Sequence, residues 1–225
     1  MVVTSGVIDI AKVRETPIAV STISPAEISL KMGNQEFPEI MNKTPGVYAT
    51  KQGGGYGQTT DKTGVKCLEL IGASFLADEP AIFGTPNLEY IKKEIDWYES
   101  ESLNINDIYG PDKEPPAAWQ YAADPDGFIN SNYGHLIYSN VYHNQYNRVL
   151  QELSTAPDGR RAMMVYNRPD IWDEYNENGM SDFICTNAVA YYIRNGRLDC
   201  CVQMRSNDVV FGYKNDYAWQ QYVLQ

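Results

Sequence analysis

Two sets of residues carry chemical potential, and the first centres on a thiol. Cys185 lies in Ser181-Asp-Phe-Ile-Cys-Thr-Asn187, and about twenty residues on comes Met204-Arg-Ser-Asn-Asp-Val-Val-Phe-Gly212. An arginine near a cysteine favours the thiolate, which is the reactive form. The same guanidinium can hold a phosphate through bidentate hydrogen bonds. An isolated cysteine is more often a buried core residue, so the weight rests on the full spacing of thiol, Arg205, Ser206-Asn-Asp208 and the Gly212 turn. The second set is a carboxyl among aromatics. Tyr90, Glu94 and Trp97 recur at helical spacing, which puts Glu94 on one face with two rings. A carboxyl against such walls has its proton affinity raised, as proton shuttling near neutral pH requires. A solvated helix acid is the competing reading.

The elements that must position these groups follow from periodicity and turn signals. Residues 88–102 read as a helix with Leu88, Ile91, Ile95 and Tyr98 along one stripe. Residues 142–153 read as a second helix, carrying His143. Residues 163–166 and 188–193 read as strands, and Asn195-Gly196 as a two-residue hairpin turn into a strand over 198–204. A final helix is expected over 216–224, after the Gly212 turn. Strands and helices mixed in this way give an α+β domain.

Composition bounds the function. The formal charge is −11 and the pI about 4.6, which argues against general nucleic-acid binding, since phosphate contacts need basic surface. A mononucleotide needs only a few local arginines. No apolar run approaches a membrane span, and Met1-Val-Val-Thr-Ser lacks the basic and apolar regions of a signal peptide. Cys67, Cys185, Cys200 and Cys201 show no metal spacing, and four scattered thiols suit a reducing cytoplasm. The first sixty residues differ from the rest. They hold five basic and five acidic residues, so the whole net charge falls in residues 61–225, together with every cysteine, histidine and tryptophan. Such a shift reads as a domain boundary, and the glycine-rich run 52–60 is a flexible place for one.

Residues 61–225 resemble the thymidylate synthase superfamily, and within it the phage-type deoxycytidylate hydroxymethylases. The resemblance is carried by Asp61-Lys-Thr-Gly-Val-Lys66, Ile71-Gly-Ala-Ser-Phe-Leu-Ala-Asp-Glu-Pro80, Ile129-Asn-Ser-Asn-Tyr-Gly134, Arg160-Arg161, Gly179-Met-Ser-Asp-Phe-Ile-Cys-Thr-Asn187, Met204-Arg-Ser-Asn-Asp208 and Asn215-Asp-Tyr-Ala-Trp-Gln220. It implies a thymidylate synthase-like fold, incomplete at the C-terminus, and a homodimer. Residues 1–57 resemble the start of a TonB-dependent receptor plug, with a short strand at 18–23, a helix start at Ser24-Pro25 and a stop at Gly33. The expected organisation is therefore a plug-like fragment at 1–57, a junction at 58–60 and an enzyme domain at 61–225. A plug implies an outer-membrane location only when a barrel follows. A non-catalytic chimera is thus a further reading.

The resemblance also implies roles. Carbon C5 of a pyrimidine is a poor nucleophile. Thiolate addition at C6 makes the ring enamine-like, and C5 then attacks a one-carbon electrophile, so one hard step becomes two easier ones. Cys185 is the implied nucleophile and Glu94 the implied general acid/base. Arg205 with Ser206, Arg160 and Arg161 from the neighbouring subunit, and Lys62 in the N-terminal loop are implied phosphate contacts. Surface ion pairing is the competing reading for the four basic residues. Asp208 is implied on the folate side, with a buried structural carboxylate as the alternative.

Asp216 is implied to read the base. A carboxylate can accept from the cytosine amino group and from a protonated N3, whereas uracil suits the mixed amide of asparagine. A slip of one residue would put Asn215 there instead. The implied reaction moves a one-carbon unit from 5,10-methylenetetrahydrofolate to C5 of dCMP, followed by addition of water. Methylation of dUMP is the alternative. The chain stops at Gln225, inside the last expected helix. Family members continue into a His-x-Tyr segment for the deoxyribose hydroxyl and a tail over folate, and neither His135 nor His143 lies in such a segment. This chain is therefore expected to be inactive or badly impaired.

Overall fold

The structure, a computed structural model, describes residues 56–60 and 64–225. The expected strand, cap and stop at 18–33, the plug-like fragment up to residue 55, and Lys62 lie outside the described residues. Strands β1 (Tyr56–Thr60) and β2 (Lys66–Leu70) pair antiparallel. The expected junction at 58–60 falls inside β1. Residues 77–225 make a separate compact unit, which holds the chemistry.

In that unit, helix α1 (Leu88–Glu99) starts where the Asn87 side chain accepts from the Tyr90 amide at 3.1 Å. It ends three residues before the expected limit, because Glu101 turns left-handed at φ 57°. Its buried residues are Ile91, Glu94, Trp97 and Tyr98. Leu88, expected on the core stripe, is instead 75% exposed, since the first turn of α1 faces solvent. Ile91 and Tyr98 of that stripe and Glu94 and Trp97 of the aromatic one pack inward together.

Helices α2 (Ala117–Ala122) and α3 (Tyr133–Tyr138) pack beside α1. One buried side chain joins α1 to α3. Asn132 caps α3 by accepting from the His135 amide at 2.8 Å, and it donates to the carbonyls of Trp97 and Ser102 at 3.0 and 2.7 Å. The expected helix from residue 142 is interrupted. His143 and Asn144 both adopt left-handed backbone, and α4 (Gln145–Thr155) begins after them with Asn144 as its cap. His143 therefore sits in a turn, outside the helix.

The sheet is antiparallel in the order β3 (Met163–Val165), β4 (Thr186–Arg194), β5 (Arg197–Met204). Asn195 and Gly196 turn β4 into β5 with φ of 53° and 73°, as a hairpin of this length requires. A short helix α5 (Ile171–Glu174) lies between β3 and β4. The last helix, α6 (Gly212–Val223), starts four residues earlier than expected, with Gly212 as its first residue. The core is strongly aromatic. Tyr98 stacks on Tyr133 at 5.4 Å and meets Trp219 edge-on at 4.9 Å, and Tyr133 meets Tyr166 edge-on at 5.2 Å. The α+β class holds.

Gly134 sets the approach of α3 to α1. A Cβ at this position would lie 1.7 Å from the Tyr98 carbonyl oxygen, a backbone atom that cannot swing aside. Gly134→Ala is expected to lose at least about 1–3 kcal/mol of stability by urea denaturation. An unchanged midpoint would show that the two helices separate freely.

Candidate active site

The spacing between Cys185 and Arg205 is the length of a hairpin. Thr186 pairs with Met204, and one step beyond, the Arg205 amide donates to the Cys185 carbonyl at 2.9 Å. Arg205 then folds back over the segment before β4. Its Nε donates to the Ile184 carbonyl at 3.1 Å and its Nη2 to the Phe183 carbonyl at 2.6 Å. The guanidinium lies 5.0 Å from the Phe183 ring centroid, and Nη2 stands 3.6 Å from the Cys185 Sγ. A cation this close favours the charged thiolate.

The loop carrying Cys185 is pinned from the other side. Asp182 is buried and accepts from the Asn130 and Ser131 amides at 2.7 and 2.8 Å, and from the Ser131 hydroxyl at 2.6 Å. Ile184 is fully buried beside it. Cys185 is thus left half-buried at the mouth of β4. Of the other cysteines, burial pushes the Cys200 thiol up, away from reactivity, and Cys201 is exposed on β5.

Glu94 is 5% exposed. Its Oε1 accepts from the Tyr90 hydroxyl at 2.5 Å and from the Trp119 indole at 3.2 Å. Burial pushes its carboxyl up to about 7, against the pull of those two donors. Asp216, on α6, is half-buried and accepts from Asn207 Nδ2 at 2.7 Å. It too is pushed up to about 7, first by burial and then by the charge of Glu94. Tyr133 links the parts. Burial, then the charges of Asp216 and Cys185, raise its phenol well above the usual range, and its hydroxyl accepts from Thr186 at 3.0 Å.

Cys185, Arg205, Asp216 and Glu94 therefore belong to one region around Tyr133. Asp216, rather than Asn215, is the residue that Asn207 grips. Ser206 is exposed in the turn after Arg205. Asp208 is also exposed, so the alternative of a buried structural carboxylate fails. Its Oδ1 accepts from the Val210 amide at 2.8 Å, and its carbonyl from Tyr213 at 2.8 Å, which shapes the entry to α6. A cleft lined by Lys93, Asp96, Ser100 and Asp107 holds none of these residues.

Arg160 and Arg161 do not join the site in their own chain. The Tyr191 amide donates to the Ala162 carbonyl, so the pair lies beyond residue 191 of β4. Cys185 precedes the other end of that strand. At about 3.3 Å per residue, the separation is roughly 20 Å, well beyond the reach of a side chain. Both arginines are exposed, and Arg161 pairs with Glu152 at 3.0 Å. Sequence reasoning passed over Trp119, Tyr133 and Asn207. Asn207, flanked by Ser206 and Asp208, and Tyr133, in the run 129–134, carried a local signal, and Trp119 carried none.

Residues 51–224 match the thymidylate synthase family, and the chain belongs to that family. Among its relatives are the proteins named deoxycytidylate 5-hydroxymethyltransferase of Enterobacteria phages T4, T2 and T6. Each is 56% identical over 164 residues, which is 73% of this chain and 65% of the relative. The chain thus spans about two-thirds of the length of these relatives. A solved thermostable thymidylate synthase A from Bacillus subtilis is 22% identical, with a TM-score of 0.45 over 59% of this chain and 48% of that one.

The Glu94 carboxyl gives a sign that can be checked. A carboxyl raised from 4.5 to about 7 binds its proton more tightly when folded. Its contribution is therefore intact below about pH 4.5 and is lost as pH rises to about 7. Glu94→Gln should stabilise the fold at about pH 8 by up to roughly 3 kcal/mol and have little effect at about pH 4. Denaturant titrations at the two pH values measure this. A loss of stability at the higher pH would show that the carboxylate is welcome in its pocket.

Proposed function

We propose that this chain is a pyrimidine-deoxynucleotide C5 one-carbon transferase that hydroxymethylates dCMP. The observation that carries the reading is the Arg205 guanidinium held 3.6 Å from the Cys185 thiol by the carbonyls of Phe183 and Ile184. The 56% identity to phage proteins named for that reaction supports dCMP over dUMP as substrate.

In this reading Arg205 and Ser206 hold the nucleotide phosphate and Cys185 adds to C6. Glu94 is buried yet poised near neutrality, and it relays protons at the ring. Asp216 accepts from the cytosine edge. The cosubstrate 5,10-methylenetetrahydrofolate supplies the one-carbon unit, and exposure of Asp208 is compatible with its assignment to the folate side. Water completes the hydroxymethyl group.

Arg160 and Arg161 point to a homodimer. Since they sit at the far end of β4 from Cys185, their phosphate role requires the site of a second copy. The family resemblance adds Lys62 as a further phosphate contact. A cytoplasmic location accords with the four free thiols. No helix among the described residues is long and apolar enough to cross a membrane.

Tritium release from 5-tritiated dCMP with the folate cosubstrate tests the reading. Cys185→Ser should lose at least about a thousandfold in release rate, because no second group can make the adduct. Equal release from both proteins, above the rate without protein, would rule Cys185 out. Faster turnover of dUMP than of dCMP would favour the methylation reading.

A further inference from the structure

Asn207 lies in the turn between β5 and α6, two residues after Arg205. Its Nδ2 donates to Oδ2 of Asp216 at 2.7 Å and approaches the Met204 sulfur at 3.3 Å. The titratable neighbours of Asp216 include Glu94 and Tyr98 on α1, Tyr133 on α3, Tyr166 after β3 and Asp208, which flanks Gly212 together with the Asp216 carboxylate. None of these is cationic. Burial and the charge of Glu94 drive the carboxyl towards its neutral form, and the Asn207 hydrogen bond opposes them.

The protonation state decides what the carboxyl can recognise. An ionised carboxylate only accepts. It can take the amino N–H of cytosine but meets the O4 lone pairs of uracil. A neutral carboxylic acid has one donor and one acceptor, so it can pair with either base edge. Rejection of uracil is therefore a property of the ionised group alone, and it is strong because the wrong base leaves buried polar atoms unpaired.

We propose that Asn207 is a specificity-determining residue, whose amide holds the Asp216 carboxylate as an all-acceptor group that admits cytosine and excludes uracil. The inference rests on the reading of Asp216 as the base-recognition residue. It adds a positioning role that acts through Asp216, without contact between Asn207 and the base.

The test pairs two measurements on the full chain and on Asn207→Leu, with Asn207→Ser as a smaller change should the first fail to fold. Carbon-13 NMR follows titration of the Asp216 carboxyl without nucleotide. Calorimetry gives Kd for dCMP and for dUMP across the same pH range. In the parent chain the preference for dCMP should grow as pH rises through about 7. In the variants the midpoint of both curves should move up by about one to two pH units, and the preference near neutrality should fall by roughly tenfold or more. A carboxyl midpoint that stays in place in a folded variant overturns the role of Asn207, whatever the nucleotides do. A parent chain whose midpoint shifts on mutation but which never prefers dCMP overturns Asp216 as the base reader, and the specificity role with it.

Discussion

The register of one β-hairpin holds the site together. Thr186 opposite Met204 puts Cys185 and Arg205 side by side at the open end of β4 and β5. A slip of one residue would send every side chain of a strand to the other face. The guanidinium would then lose both the thiol and the carbonyls of Phe183 and Ile184 that restrain it. The tight Asn195-Gly196 turn fixes the register at the far end, an irregularity between Thr186 and Ala188 shifts it by one residue beside the site, and the Asp182 carboxylate fixes the approach to Cys185 by taking three donors from residues 130 and 131. Rigidity around the sulfur comes from hydrogen bonds placed on both sides of it.

A second constraint acts on the acids. Glu94 and Asp216 come from distant parts of the chain and sit among aromatic rings, where burial disfavours charge. Each keeps some tendency to ionise through local donors, Tyr90 and Trp119 for Glu94 and Asn207 for Asp216. The same burial that poises Glu94 near neutrality lowers the stability of the fold at alkaline pH. Stability and proton transfer are opposed at that residue.

The frame that carries these groups relies on a few specific contacts. Asn132 ties the end of α1 to the start of α3, and Gly134 lets the two backbones meet. Tyr133, between them in sequence, is thereby brought against Tyr98 and within electrostatic range of both Asp216 and Cys185. An aromatic ring at the centre serves packing and site geometry together.

Much of this was legible in the residues, because it depends on local rules. The α+β class, the hairpin turn, the inward aromatic stripe of α1 and the pairing of thiol with guanidinium all follow from periodicity and spacing over a few residues to about twenty. Local rules failed where tertiary contacts override them. The periodicity of Leu88 did not reveal that the first turn of α1 is exposed, and the amphipathic pattern around His143 concealed a left-handed break. The meeting of Asn207 with Asp216, of Trp119 with Glu94, and the distance of Arg160 and Arg161 from Cys185 were decided by the folded chain alone. Each depends on how separate elements pack, and pairwise contact across tens of residues leaves no periodic trace in a single sequence.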